Sequence, residues 1–92
     1  MKYSVEFRPA VLKSMKRLPK RDLRRIKRKV DDLADNLPDP VATKMKGDNA
    51  FHRIRVGDYR IVYEILVDRL VILVVKVGHR KDVYRNIRDV LD

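Results

Sequence analysis

The spacing of hydrophobic and polar positions changes period twice along this chain. From Lys2 to Phe7 the positions alternate, with Tyr3, Val5 and Phe7 on one side and Lys2, Ser4 and Glu6 on the other. A period of two predicts a half-exposed strand. Pro9 suits the first turn of a helix, where its missing N–H costs nothing. Val11, Leu12, Met15 and Leu18 follow at helical spacing, and Pro19 closes that segment. Leu23, Ile26, Val30, Leu33 and Leu37 then recur every three to four residues, predicting a second, strongly amphipathic helix. Its opposite face holds Arg21, Arg24, Arg25, Lys27, Arg28 and Lys29. The run Asn36-Leu37-Pro38-Asp39-Pro40 ends it by removing donors and forbidding helical backbone angles. The short joint at Pro19-Lys20 predicts that the two helices form a hairpin.

From Ala50 onward the period is two again. Phe51 to Val56, Tyr59 to Leu66 and Leu70 to Val77 read as three consecutive strands, joined by tight turns at Gly57-Asp58 and Val67-Asp68-Arg69. Leu70 to Val77 is apolar at nearly every position, which predicts a central strand covered on both faces and ended by Gly78. Asp82 to Leu91, with Val83, Ile87, Val90 and Leu91 apolar, predicts a short final helix. The order β-α-α-β-β-β-α predicts an α+β fold: an N-terminal helical hairpin packed on a mainly antiparallel, four-stranded twisted sheet, in one domain over residues 1–92.

Charge narrows the function. Lys and Arg number 23 against 13 Asp and Glu, a net charge of +10 on 92 residues. Such a field attracts polyanions: nucleic acid, an acidic membrane surface or an acidic protein partner. The plainer reading is a solvated surface that happens to be basic. The chain has no Cys, which excludes disulfides and thiolate metal sites, and His52 and His79 are too few and too far apart to suggest zinc. Neither a metal nor a cofactor is expected. No run of about 18 apolar residues exists to span a membrane. The N-terminus shows no apolar signal segment, so a cytoplasmic protein is expected.

Strand alternation sorts the candidate chemistry. Arg53 and Arg55 are two residues apart and project from one sheet face. His52, Ile54 and Val56 project from the other, which is then the face that packs on the helices. Arg60 lies just across the Gly57-Asp58 turn, within a strand spacing or two of Arg55. Arg80 follows Gly78-His79 at the exit of the central strand, and Tyr84 is one helical turn beyond. These arginines and the tyrosine are expected to converge on one sheet face. There is no carboxylate pair, no Ser/His/Asp set and no Gly-rich phosphate loop, so glycosidase, protease and nucleotide-kinase readings have no residues to stand on. Guanidiniums stay charged at any working pH and fit phosphate bidentately. An aromatic ring offers a base a stacking surface worth about 1–3 kcal/mol. RNA can be cut without metal if its own 2′-OH attacks the neighbouring phosphate, and preorganised arginines suit the charge that then develops. Taken singly, each arginine reads as well as a surface solubiliser; the shared face distinguishes the set.

With these residues in place, the chain resembles the RelE/ParE toxin superfamily, and within it the RelE branch. The likeness runs from Tyr3-Ser4-Val5-Glu6-Phe7 through Leu18-Pro19 to Lys44-Met45-Lys46-Gly47. It is strongest from Phe51 to Tyr63, which contains Gly57-Asp58-Tyr59-Arg60-Ile61-Val62-Tyr63, and in Val77-Gly78-His79-Arg80-Lys81-Asp82-Val83-Tyr84. The resemblance implies a toxin of a type II toxin–antitoxin pair, a ribosome-dependent mRNA endonuclease that cleaves in the A site by 2′-OH attack and so inhibits translation. Arg53 and Arg55 then match two basic residues acting near the 2′-OH. Arg60 matches an arginine that stabilises the transition-state phosphate, Arg80 a basic residue near the leaving 5′-oxygen, and Tyr84 a tyrosine that stacks on the substrate.

RelE itself has lysines where this chain has Arg53 and Arg55. A lysine of depressed pKa can act as base, whereas an arginine, with a pKa above about 12, practically cannot. The base is therefore open at this level. His79 has a suitable pKa as an auxiliary, His52 is expected at the edge of the core, and catalysis by charge and geometry alone is a further possibility. The resemblance also implies a RelB-like antitoxin, small and acidic, with an amphipathic helix. On the helical hairpin, Lys13, Lys16, Arg17, Lys20, Arg21, Arg24, Arg25 and Arg28 would grip ribosomal RNA backbone, although each alone also reads as part of a solvated face. Two other readings stay open: a ParE-like inhibitor of DNA gyrase, and a non-catalytic basic nucleic-acid-binding domain held by counterion release.

Overall fold

The computed structural model describes residues 3–79. The predicted final helix, Asp82 to Leu91, lies outside them. Seven elements occur in the order β1 (Ser4–Phe7), α1 (Pro9–Met15), α2 (Lys20–Asp35), α3 (Pro40–Thr43), β2 (Phe51–Val56), β3 (Tyr59–Leu66) and β4 (Val71–His79). The strands make one four-stranded sheet in the order β1-β4-β3-β2. β2, β3 and β4 form the expected antiparallel meander. β1 returns to the far side of β4 and pairs with it in parallel, Val5 opposite Ile72 and Phe7 opposite Val74. β4 is thus an interior strand, as its nearly continuous apolar run predicts.

Both longer helices lie on one face of the sheet. α1 starts at Pro9, and its inward residues Val11 and Met15 are buried. Its helical bonds stop at Met15; residues 16–18 turn, and Pro19 caps α2 with an extended backbone. α2 buries Ile26, Val30 and Leu33 of the stripe read from sequence, together with Ala34; Leu23 is half-buried, and Leu37 lies beyond the end of the helix. Asp22 in its first turn complements the positive end of the helix dipole. Ile26 and Val30 pack on Ile61, Val74 and Val77, with Val5, Phe7 and Ile54 at the margin. Leu33 packs on Tyr63 and Ile72. Full burial of such aliphatic side chains contributes roughly 1.5–3 kcal/mol each relative to exposure, which makes α2 the main anchor of the layer.

Two features depart from the sequence reading. The segment after Pro38 is ordered by a short helix, α3. The Asp39 carboxylate accepts from the Val41 N–H at 3.0 Å, and Pro40 takes the first helical position. Only one turn long, α3 has no apolar stripe for periodicity to detect. The chain beyond it pairs briefly with the edge of β2: Lys44 bridges His52, and the Met45 N–H donates to the Phe51 carbonyl at 2.9 Å. The second departure is at the end of β4. Gly78 does not end that strand; it pairs with Arg60, and His79 pairs with Tyr59. A glycine in a strand costs entropy without breaking the ladder.

The β3–β4 register also contains a bulge. Tyr63 faces Val74 and Val62 faces Lys76, so Val75 is an extra residue in β4. Val74 and Val77, three apart, therefore both face the helices, while Val75 packs on the other side with Phe51 and Val62. Among the described residues no helix is long and apolar enough to cross a membrane.

Candidate active site

The β2–β3 hairpin builds the site. Its two-residue turn places Gly57 at φ 58°, the sign required at the first central position of a II′ turn, which a glycine adopts without strain. A turn of that length fixes the register, and Arg55 stands directly opposite Arg60. Arg53 lies two residues back on β2, opposite Val62. Because side chains alternate, Arg53, Arg55 and Arg60 share the sheet face turned away from α1 and α2. Together with Ile54 they line an open depression of about 330 Å³.

The three arginines differ in setting. Arg53 and Arg55 are exposed, whereas Arg60 is half-buried. The Nη1 of Arg60 is shut off from solvent and, among the described residues, has no hydrogen-bond partner. A buried donor left without an acceptor costs about 1–3 kcal/mol, more for a charged group, and such groups gather where a ligand supplies the missing acceptor. Carboxylates on this face are directed elsewhere: Glu64 lies 3.8 Å from Arg8, and Glu6 lies 3.6 Å from Arg69.

The bulge adds a cation that sequence reading missed. Lys76 sits opposite Val62, which itself sits opposite Arg53, so one cross-strand row runs Arg53, Val62, Lys76. The next row runs Arg55, Arg60, Gly78. A nearly continuous apolar run hides which way each residue points, and the parity reverses at Val75. The available signal was a single lysine within that run.

Both histidines lie off this face. His52 is buried, its ring stacked on Tyr63 at 5.5 Å, and its Nδ1 is hydrogen-bonded to Thr43 Oγ1 at 2.9 Å. Burial holds its pKa below the usual histidine value, assisted by the charge of Lys44 and opposed by the Pro40 carbonyl. This is the core-edge histidine expected from its strand parity. His79 pairs with Tyr59 and meets its ring edge-on at 5.5 Å. Tyr59 belongs to the helix side: its hydroxyl donates to Asp22 of α2 at 3.0 Å, and burial followed by Asp22 pushes its pKa up. His79 thus stands across the sheet from Arg53, Arg55 and Arg60, which separates the auxiliary candidate from the cluster it was to serve. Arg80 and Tyr84, the other two candidates for this site, lie outside the described residues.

Lys13, Lys16, Arg17, Lys20, Arg21, Arg24, Arg25 and Arg28 are all exposed on α1, α2 and the turn between them. Lys16 borders a depression between the two helices, whereas Arg25 and Arg28 border one between α2 and β2.

Residues 5–84 match the family described as the ParE toxin of the type II toxin–antitoxin system parDE. A protein of Methanocaldococcus jannaschii designated toxin RelE1 is 33% identical over 90 residues, covering 94% of this chain and 99% of that protein. The chain belongs to the RelE/ParE family of type II toxins. The archaeal RelE–RelB complex from Pyrococcus horikoshii contains a chain 29% identical to this toxin, with a TM-score of 0.72 over 87% of this chain and 97% of the other. A mutant of the Escherichia coli RelE toxin in its free state matches over 100% of both chains with a TM-score of 0.82; at 23% identity that likeness speaks for the fold. The α+β arrangement read from the sequence is therefore the RelE arrangement.

Proposed function

We propose that this toxin is a ribosome-dependent endoribonuclease that cuts messenger RNA in the A site and so arrests translation. The observation that carries the reading is the pairing of Arg55 with Arg60, Arg53 beside them on the same face, and the Nη1 of Arg60, which has no hydrogen-bond partner among the described residues. In the reaction the 2′-hydroxyl of one nucleotide loses its proton to solvent as its oxygen attacks the adjacent phosphorus. A 2′,3′-cyclic phosphate forms, the bond to the 5′-oxygen breaks, and that oxygen leaves with a proton. Arg60 is placed to neutralise the charge gathering on the phosphoryl oxygens, with Arg53 and Arg55 near the attacking side. Arg80 is assigned to the leaving oxygen and Tyr84 to stacking on the base, both from the family resemblance. The step requires no metal, because guanidiniums supply the positive charge. With arginine rather than lysine at positions 53 and 55 and His79 across the sheet, charge and positioning carry the catalysis. A slow enzyme away from the ribosome follows.

The partner in the cell is an acidic, RelB-like antitoxin; the P. horikoshii relative is a RelE–RelB complex. The proposed setting is the cytoplasm, where ribosomes and messages are, and the domain is one unit over residues 1–92. The matching family is described as ParE, which keeps a gyrase inhibitor as the second reading. Purified toxin in a cell-free translation reaction, followed by primer extension, separates the two. Translation arrest with cuts inside translated codons, lost in Arg60→Ala and Arg80→Ala, supports the nuclease. Intact message together with inhibited supercoiling supports the gyrase inhibitor.

A further inference from the structure

The arginine cluster does not end at the edge of the sheet. Arg55 and Ile54 also line a second depression, of about 280 Å³, on the side of β2 facing α2, where they meet Lys29, Asp32 and Asn36. Lys29 and Asp32 in turn line a third, of about 390 Å³, with Arg25, Arg28 and Val56. Adjacent hollows share lining residues, Ile54 and Arg55 between the first and second and Lys29 and Asp32 between the second and third, so the three follow one another around the β2 edge as a trough. At its inner end the row Arg53, Val62, Lys76 extends it across the sheet to β4. The guanidinium of Arg25 rests against Gly57, whose missing side chain permits the approach: a Cβ there would stand 2.8 Å from Nη2. The hairpin turn thus holds one wall of the trough in place.

We propose that single-stranded RNA lies across the strands, from Lys76 through the arginine cluster and over the β2 edge into the trough against α2, where Lys29, Arg25 and Arg28 hold the nucleotides beyond the cut. This rests on the RNA-cleaving reading and adds the direction of the strand and the cations that guide it. Two strand spacings plus one layer spacing give a path of roughly 20 Å, long enough for several nucleotides. Its lining suits a phosphate backbone. Asp32 is the one carboxylate among the described lining residues of the three hollows, and in the outermost hollow Val56 is the one apolar side chain. The middle hollow adds the apolar side chains Leu33, Pro38 and Ile54.

α2 supplies its own control. Lys29 faces β2, whereas Lys27, two residues earlier, lines the separate hollow against α1 with Lys16 and Leu23. Binding of a fluorescent single-stranded oligouridylate is measured by anisotropy over a range of salt. Each phosphate contact on a single strand contributes about 0.7 to the slope of log affinity against log salt. Lys29→Met and Lys76→Met are expected each to lower the slope by about that amount, Lys29→Arg and Lys76→Arg to retain it, and Lys27→Met to match the wild type. Unchanged slopes in both Met variants, or an equal fall in Lys27→Met, overturn the path and indicate a diffuse basic surface. The two claims fail separately: cuts in a translated message with unchanged slopes sink the path alone, and changed slopes without cuts sink the nuclease reading alone.

Discussion

In the proposed reaction, Arg60 carries the central chemical role. Its guanidinium is half-buried opposite Arg55, with one nitrogen turned inward and without a partner among the described residues. Arg60→Ala is expected to cost about 100- to 1000-fold in cleavage rate, the loss that follows removal of one preorganised donor. The melting temperature should hold or rise, because a half-buried cation with one nitrogen unpartnered among the described residues is removed. Backbone strain lies at Leu70, a non-glycine residue at φ 53° in the β3–β4 turn. Leu70→Asn, which tolerates that conformation, is expected to raise stability by roughly 0.5–1 kcal/mol in urea denaturation. His52 gives the fold a pH dependence. Its folded pKa is depressed, so the unfolded chain binds more protons as pH falls below the ordinary value near 6.5. Its contribution is full above that pH and declines as pH drops through the folded value. Urea midpoints at pH 7.5 and pH 5 should show this decline, and His52→Asn should flatten that part of the profile.

At the scale of elements, α2 fastens the helices to the sheet, and Ile26 is its fully buried centre. Ile26→Ala is expected to destabilise by about 2–5 kcal/mol, measured by urea denaturation, through lost burial and a residual cavity. That helix was plain in the sequence because its stripe persists over about three turns. β2 and β3 were equally plain, since a two-residue turn containing glycine fixes their register and hence the Arg55–Arg60 pairing. β1 alternates cleanly, but alternation does not choose a neighbour, and its parallel pairing with β4 is a tertiary outcome. α3 was hidden because its single turn is held by a cap and a proline rather than by a periodic face. Lys76 was hidden by the bulge, since a local change in pairing leaves no trace in a run that is apolar on both sides. The sequence thus exposed the arginines of the hairpin, where turn and parity are local, and concealed the cation set by register between distant strands.

The whole molecule couples this site to its charge. A net charge of +10 draws the toxin toward any polyanion, which makes binding salt-sensitive and only weakly selective. Selectivity must then come from the geometry of the hairpin and from the surface that presents the message. On the proposed reading the same charge suits an acidic antitoxin, and where antitoxin and RNA draw on the same cations their binding is expected to be mutually exclusive. The most direct test of the account is chemical. Messages cut by the wild-type toxin on programmed ribosomes are recovered, and their new ends are identified by mass spectrometry. The account predicts a 2′,3′-cyclic phosphate on one fragment and a free 5′-hydroxyl on the other, with neither formed by Arg60→Ala. New ends bearing a 3′-hydroxyl and a 5′-phosphate, or undiminished cutting by Arg60→Ala, would contradict it.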